Sequence, residues 1–363
     1  MKDLLLVNIF SKNESVYNGY YLQEIEKNHM SYDVIYFERY KMDETAGENE
    51  FLFKEYCPTG GNNFKKIGTM LRLAHFIRKK LKEGQYKGVI VFTSVPAIMI
   101  YDVLLSKYKN RYLLDIRDYT HESNRVYFAL EKKLVEHSFA TVISSRGFLR
   151  FLPESDKYIL THNIMPDNMV SAHKNIREKS RISLGYVGSI RYYDANCDMI
   201  RQFGNDPSVQ LDYYGTVTQN CDLEGYAKEH GISNVYFHGR YRNEEKRKIY
   251  ESIDVINSVY GTESLETTTL TPNRLYDGVL YNCPVIVSKG TYLEELVNKY
   301  QLGFAADAKT DDIPQMLREY LKDFDEEEFR KHCREFLEEV EKDMQKQQET
   351  LQAYLDQIKE DTK

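Results

Sequence analysis

The chain has 363 residues, 42% hydrophobic and 29% charged, with a formal net charge of −7. That length exceeds one ordinary core and predicts two domains. No broad basic domain or known nucleic-acid reading motif occurs, no apolar run reaches the roughly 18 residues that span a bilayer, and Cys57, Cys197, Cys221, Cys283 and Cys333 form no CxxC pair. This argues against nucleic acid as a partner, against a membrane span, and against a zinc site or disulfide framework, and it fits a reducing cytoplasm. Residues 1–170 carry 24 Lys and Arg against 21 Asp and Glu, the remainder 25 against 35.

The opening "MKDLLLVNIF" has too short an apolar run, and no small-residue cleavage pattern behind it, for a signal peptide. It reads as a first buried strand (4–10). Further strands are expected at 32–37, 88–94, 111–118, 140–145 and 158–164, with helical patterns at 64–82 and 122–137 between them. The helix 64–82 is amphipathic and cationic, with Phe64, Ile67, Leu71, Leu73, Phe76, Ile77 and Leu81 among seven Lys and Arg. Docking on an anionic lipid surface suits that pattern, and packing of a charged helix on the sheet accounts for it as well. The segment 165–180 has no periodicity and reads as a linker.

The same grammar restarts in the second half, with strands at 182–190, 209–215, 234–240, 254–260, 283–288 and 303–307. Strands separated by helices imply βαβ units, here two parallel sheets. Ligands in such folds lie outside the carboxyl ends of the strands, and between two such domains the cleft is the default site. The domains are expected at 1–170 and 171–325, followed by an exposed, charged helical tail at 326–363 that packs by one apolar stripe. The stretch "TPNRLYDGVLYNCPVIVSKG" (271–290) opens as a helix, with Thr271 as N-cap and Pro272 at the first helical position. It closes as a buried strand. Such a helix start suits an anion such as a phosphate.

"LGYVGSIRYYD", "LDYYGT", "NVYFHGRYRNEE", "IYESIDVINS" and "PNRLYDGVLYNCPVIVSKGTYLEELV" follow in the order and spacing of the donor-nucleotide domain of GT-B glycosyltransferases. Together they resemble the retaining enzymes of glycosyltransferase family 4. "YLLDIRDYTHES" is similar to the strand-loop of relatives that build surface polysaccharides. The resemblance covers roughly residues 4–310. It implies an α/β GT-B fold, two Rossmann-like domains facing across a cleft, with a nucleoside-diphosphate sugar as substrate, no cofactor and no essential metal.

Residue by residue, the resemblance implies that Arg274 neutralises the diphosphate and that Asp277 takes the place of the second acid of the E-x7-E motif, on the ribose. Thr271 and Asn273 begin the phosphate-facing helix. Gly188 and Ser189 form the first turn, with Arg191 as a second cation; Gly215 and Thr216 follow the next strand; Arg240 and Tyr241 lie where relatives hold the base. A surface i,i+3 salt bridge is the structural alternative for Arg274 and Asp277. Three departures stand out. Ser189 and Ala195 replace two cations of the family pattern. Thr269 occupies the first E-x7-E position, with Glu266 or Glu263 as stand-ins. The loop after the first strand lacks the family's glycine pair, Gly19 being its only glycine.

In the first half, Arg117, Asp118, His121 and Glu122 would emerge at a strand's carboxyl end, with Asp118 or His121 binding the sugar or shuttling the acceptor proton. The competing role for Asp118 is to cap the following helix. The implied activity is transfer of a hexose-type sugar to a lipid-linked glycan acceptor in bacterial surface or capsular polysaccharide assembly, with retention, by a cytoplasmic protein in peripheral membrane contact through 64–82. The alternatives are a sugar-nucleotide epimerase or hydrolase on the same fold, and a non-catalytic paralogue that binds a partner glycosyltransferase.

Overall fold

The computed structural model describes residues 2–15, 17–58, 63–164, 174, 176–218 and 221–360. It divides into two units, residues 1–162 with 343–363, and residues 163–342. Most of the expected linker, 165–180, lies outside the described residues.

The first unit is built on a seven-stranded sheet: β1 (Leu4–Val7), β2 (Tyr32–Glu38), β3 (Glu50–Lys54), β4 (Gly88–Phe92), β5 (Tyr112–Ile116), β6 (Ala140–Ile143) and β7 (Tyr158–Leu160). The order is β3-β2-β1-β4-β5-β6-β7 and every pair is parallel. The central strands are apolar on both faces, as a sheet covered on both sides requires. Leu5, Val7, Val89 and Val91 face one core, Leu4, Leu6, Ile90 and Phe92 the other. β3 was not among the expected strands. "EFLFK" is a half-exposed edge strand whose charged ends obscure its alternation.

The second unit repeats the plan with six strands: β8 (Ile182–Val187), β9 (Val209–Tyr214), β10 (Val235–Gly239), β11 (Val255–Ser258), β12 (Val285–Ser288) and β13 (Gly303–Ala306). Its order is β10-β9-β8-β11-β12-β13, again all parallel. In both sheets the order reverses beside the first strand, which places a ligand crevice at the carboxyl ends there.

The basic helix spans Asn63–Gly84 and buries Leu73, Ile77 and Leu81, while Ile67 and Leu71 stay 57% and 67% exposed. Much of its positive charge is paired: Arg72 with Glu55, Arg78 with Asp102, and Lys79 and Lys80 with Glu83. The expected tail, 326–363, is one helix, Glu326–Glu360, and the unit boundary at 342/343 falls within it. Its last turns return to the first unit because they carry an apolar stripe. Leu351, Tyr354, Leu355 and Ile358 are fully or almost fully buried against Leu4, Leu6, Ile90 and Leu113, and the Tyr354 hydroxyl lies 3.1 Å from the carbonyls of Val89 and Arg111.

Leu355→Ala should therefore cost about 2–5 kcal/mol in urea unfolding, as a core truncation does. A substitution at exposed Glu349 should stay within about 0.5 kcal/mol.

Candidate functional site

The second sheet ends in a row of glycines. Gly188, Gly215, Gly239, Gly261 and Gly290 follow or close the carboxyl ends of β8 to β12, all at positive φ. At Gly215 the requirement is steric as well as conformational. A Cβ there would lie 1.8 Å from the carbonyl oxygen of Gly188. Gly188, at φ 122°, has open space beside it. Bare backbone at this edge allows a ligand to come close.

Arg274 sits against this rim. It lies one residue into the helix Asn273–Leu280 and is 7% exposed. Its Nε donates to the carbonyl of Val187 at 2.9 Å and its Nη1 to that of Asn257 at 3.0 Å, the ends of β8 and β11. The guanidinium lies over the ring of Tyr186, 3.3 Å from the centroid, and 4.8 Å from that of Tyr260. Among the described residues no carboxylate pairs with it. Carbonyl dipoles and ring faces hold a positive charge there without cancelling it.

Ser189 and Arg191 join the same group through Tyr186, whose hydroxyl donates to the Ser189 carbonyl at 3.2 Å and accepts from the Arg191 N–H at 3.4 Å. The Arg191 side chain is half-exposed and lies 3.8 Å from Glu266. Glu266 also accepts from the Tyr192 hydroxyl at 3.1 Å. Of the two acids weighed beside Thr269, Glu266 is thus the one at the Arg191 cluster. Glu263 pairs with Lys309 at 2.9 Å, and Thr269 is buried with its hydroxyl turned back to the Leu265 carbonyl. A cavity of about 110 Å³ adjoins the rim, lined by Val259, Gly261, Glu263, Ser288, Lys289 and Lys309 among others.

Asp277 is buried and engaged on both oxygens, accepting from the Tyr250 hydroxyl at 2.7 Å and pairing with Lys246 at 2.7 Å. It is neither exposed nor paired with Arg274, so the surface salt bridge weighed for these two does not occur. Tyr241 is half-buried, and burial with the nearby Asp277 raises its pKa. Arg240 and Thr216 are exposed beside their glycines. The helix begins one residue later than expected. Pro272, in an extended conformation, is its N-cap, and Thr271 precedes it. Proline has no side-chain oxygen to offer, so the N-cap residue itself makes no side-chain cap.

In the first unit the loop after β5 separates the expected residues. Arg117 is largely but not fully buried and bidentate on Asp115, at 2.6 and 2.8 Å, with the Tyr21 hydroxyl donating to the same carboxylate at 2.7 Å. Glu122 is also buried, accepting from the backbone N–H and hydroxyl of Thr120 at 2.6 and 2.9 Å. Asp118 and His121 are exposed, and His121 packs edge-on against Tyr127. Asp118 does not cap the next helix. Asn124 does, its side chain accepting from Val126 N–H and Tyr127 N–H. Asn124 stands immediately before the first helical turn, where a side-chain oxygen can reach those donors.

Sequence reasoning missed Tyr186, Tyr260 and Lys246, which hold Arg274 and Asp277. The glycine row was half legible, since "YVGS", "YYGT" and "FHGR" each end a strand. Among the described residues no group of three His, Cys, Asp or Glu side chains is arranged to hold a metal ion, and no helix is long and apolar enough to cross a membrane.

No protein-family model matches the chain, and no curated protein matches its sequence. Solved structures do match its fold. Sucrose-phosphate synthase from Thermosynechococcus elongatus superposes with a TM-score of 0.71 at 13% identity, covering 98% of this chain and 99% of that one. HepE of Anabaena in complex with UDP and glucose gives 0.66 at 12%, covering 97% and 100%. WaaG, a glycosyltransferase involved in lipopolysaccharide biosynthesis, gives 0.61 at 12%, covering 93% and 95%. What is shared at these identities is the fold: the chain has the GT-B architecture of two Rossmann-like parallel-sheet units.

Asp277→Ala leaves the Lys246 ammonium and the Tyr250 hydroxyl without their partner, so it should destabilise the protein by about 1–3 kcal/mol in chemical unfolding without any ligand present. Gly215→Ala should also lower the melting temperature, because the backbone of Gly188 must move to admit the new methyl.

Proposed function

We propose that this chain is a glycosyltransferase that holds a nucleoside-diphosphate sugar at the glycine rim of its second unit. The observation that carries the proposal is Arg274, a buried guanidinium with no carboxylate partner among the described residues, fixed at the carboxyl edge of a parallel sheet. A diphosphate there supplies the missing negative charge, and the fixed cation stabilises the charge that develops as the nucleoside diphosphate leaves. Arg191 is the second cation, on a loop able to reach a phosphate by leaving Glu266. Thr271 and Asn273 approach the same phosphates, and Arg240, Tyr241 and Thr216 flank the base. Asp277 acts on the ribose through the Tyr250 and Lys246 network that holds it. Asp118 and His121, both exposed on the first unit, are the residues for the acceptor hydroxyl and its proton. The UDP and glucose held by HepE, and the UDP-2-fluoro glucose bound to the Escherichia coli enzyme of trehalose 6-phosphate synthesis, support UDP as the first donor to test.

The finer reading is transfer of a hexose-type sugar, with retention and without a required divalent ion, to a lipid-linked glycan in bacterial surface or capsular polysaccharide assembly. The role of WaaG in lipopolysaccharide supports it by analogy of fold. It places the protein in the cytoplasm, in contact with the anionic inner membrane surface through the exposed Ile67 and Leu71.

The test is a thermal-shift series with UDP, GDP, dTDP and CMP on the wild type, Arg274→Ala and Arg191→Ala. One nucleotide at about 100 times its dissociation constant should add about 2.7 kcal/mol of stability. That gain should vanish in Arg274→Ala, judged against the variant's own ligand-free transition, and shrink in Arg191→Ala. No shift with any nucleotide would overturn the donor reading. Binding without turnover of the matching sugar nucleotide, with or without acceptor, would favour the non-catalytic alternative, which the uncharged Ser189 and Ala195 positions already suggest.

A further inference from the structure

The first unit buries an acid that the proposed chemistry does not use. Glu131 lies on the helix Arg125–His137, is 0% exposed, and has no well-formed hydrogen bond to either carboxyl oxygen. The groups that face it come from four elements. Ser94 opens the helix Ser94–Met99, Glu122 belongs to the loop after β5, Tyr127 stands one turn back on the same helix, and Tyr158 is in β7. Glu122 is the one charged group among these. Ser94 is the nearest hydroxyl, but it is shared with Thr120 at 3.1 Å and Tyr127 at 2.8 Å, which are themselves 2.9 Å apart. Glu122, in turn, braces the loop from within by accepting from the backbone N–H and hydroxyl of Thr120.

Two carboxylates facing each other in a dry interior cannot both keep their charge. Glu122 accepts two hydrogen bonds from Thr120, whereas neither carboxyl oxygen of Glu131 has a hydrogen-bond partner. We infer that Glu131 is a positioning residue held as the neutral acid, so that closing the 117–124 loop takes up a proton at Glu131. Burial, with Glu122 adding to it, pushes this acid from 4.5 up to about 8. The loop so governed carries Asp118 and His121, and the His121 ring rests on Tyr127 within the same cluster. The inference deepens the acceptor-side reading above, and its catalytic meaning rests on that reading. The proton link itself does not.

The sign follows from linkage. A carboxyl whose folded-state pKa is raised favours the closed loop fully below about 4.5. The advantage is lost, tenfold per pH unit, as pH rises through about 8, and then levels off. Hydrogen–deuterium exchange of the full chain, followed in peptides covering 117–124 at pH 5.5, 6.5, 7.5, 8.5 and 9.5 and corrected for intrinsic exchange, reads both the slope below about pH 8 and the levelling point. Wild type should show opening that increases about tenfold per pH unit, and Glu131→Gln, a permanently neutral isostere, should show none of that slope. Should Glu131→Gln not fold, Glu122→Gln keeps the test, because removing the facing charge moves the levelling point to lower pH. A flat wild-type profile, a slope that persists in Glu131→Gln, or a levelling point unchanged in Glu122→Gln would overturn the inference. A slope present as expected, with Asp118→Ala and His121→Ala leaving sugar transfer intact, would instead overturn the acceptor-side reading and leave the proton link standing.

Discussion

A guanidinium cannot be taken out of water without compensation, and the second unit is arranged around that constraint. Arg274 gives hydrogen bonds to two carbonyls that terminate neighbouring strands and presses its faces on Tyr186 and Tyr260. Neither kind of contact carries a full negative charge, so the cation remains unneutralised beside an edge made of glycine backbone. Dipoles that are already oriented do not have to reorganise when an anion arrives, which is the physical advantage of building a site this way. The same geometry explains why Tyr186 matters twice. Its ring supports Arg274 and its hydroxyl positions the loop that carries Ser189 and Arg191.

The first unit treats the same residue type in the opposite manner. Arg117 also follows a central parallel strand, yet it is closed by a bidentate bond to Asp115 and has no spare charge to offer. Among the described residues its sheet edge shows no glycine at positive φ; Lys41 and Asp43 after β2 and Thr93 after β4 take that conformation instead, and the Thr93 N–H is held by the Asp115 carbonyl at 2.7 Å. Two sheets of the same order and polarity therefore present different chemistry. One presents an open cation and bare backbone; at the other the arginine is already closed by its neighbouring carboxylate.

The long helix Glu326–Glu360 shows how one stripe anchors a charged helix. Its sequence is dominated by Glu, Lys and Gln, as an exposed tail would be. Yet in its last turns Leu351, Tyr354, Leu355 and Ile358 share one face and cover the first sheet. His162 and Arg146, both in the first unit, pair with Asp343 where that half of the helix begins. A stripe of four residues suffices because helix burial depends on which positions recur, not on the fraction that is apolar.

Alternating apolar strands and helical patterns determined the α/β class, the two parallel sheets and nearly all of the strands, because the period of the hydrophobic residues is a local property of the chain. It missed β3, where Glu50 and Lys54 at the ends of a short edge strand mask the pattern. The sequence also marked Arg274, Gly188, Gly215 and Arg191 as residues of one site. It could not say that Asp277 would be engaged by Lys246 and Tyr250, that Asn124 rather than Asp118 would cap the helix, or that Glu131 would be buried facing Glu122. Those outcomes depend on groups brought together from distant elements. Whether a charge is left open, paired or protonated is decided by the neighbours and the solvent that tertiary packing assigns to it.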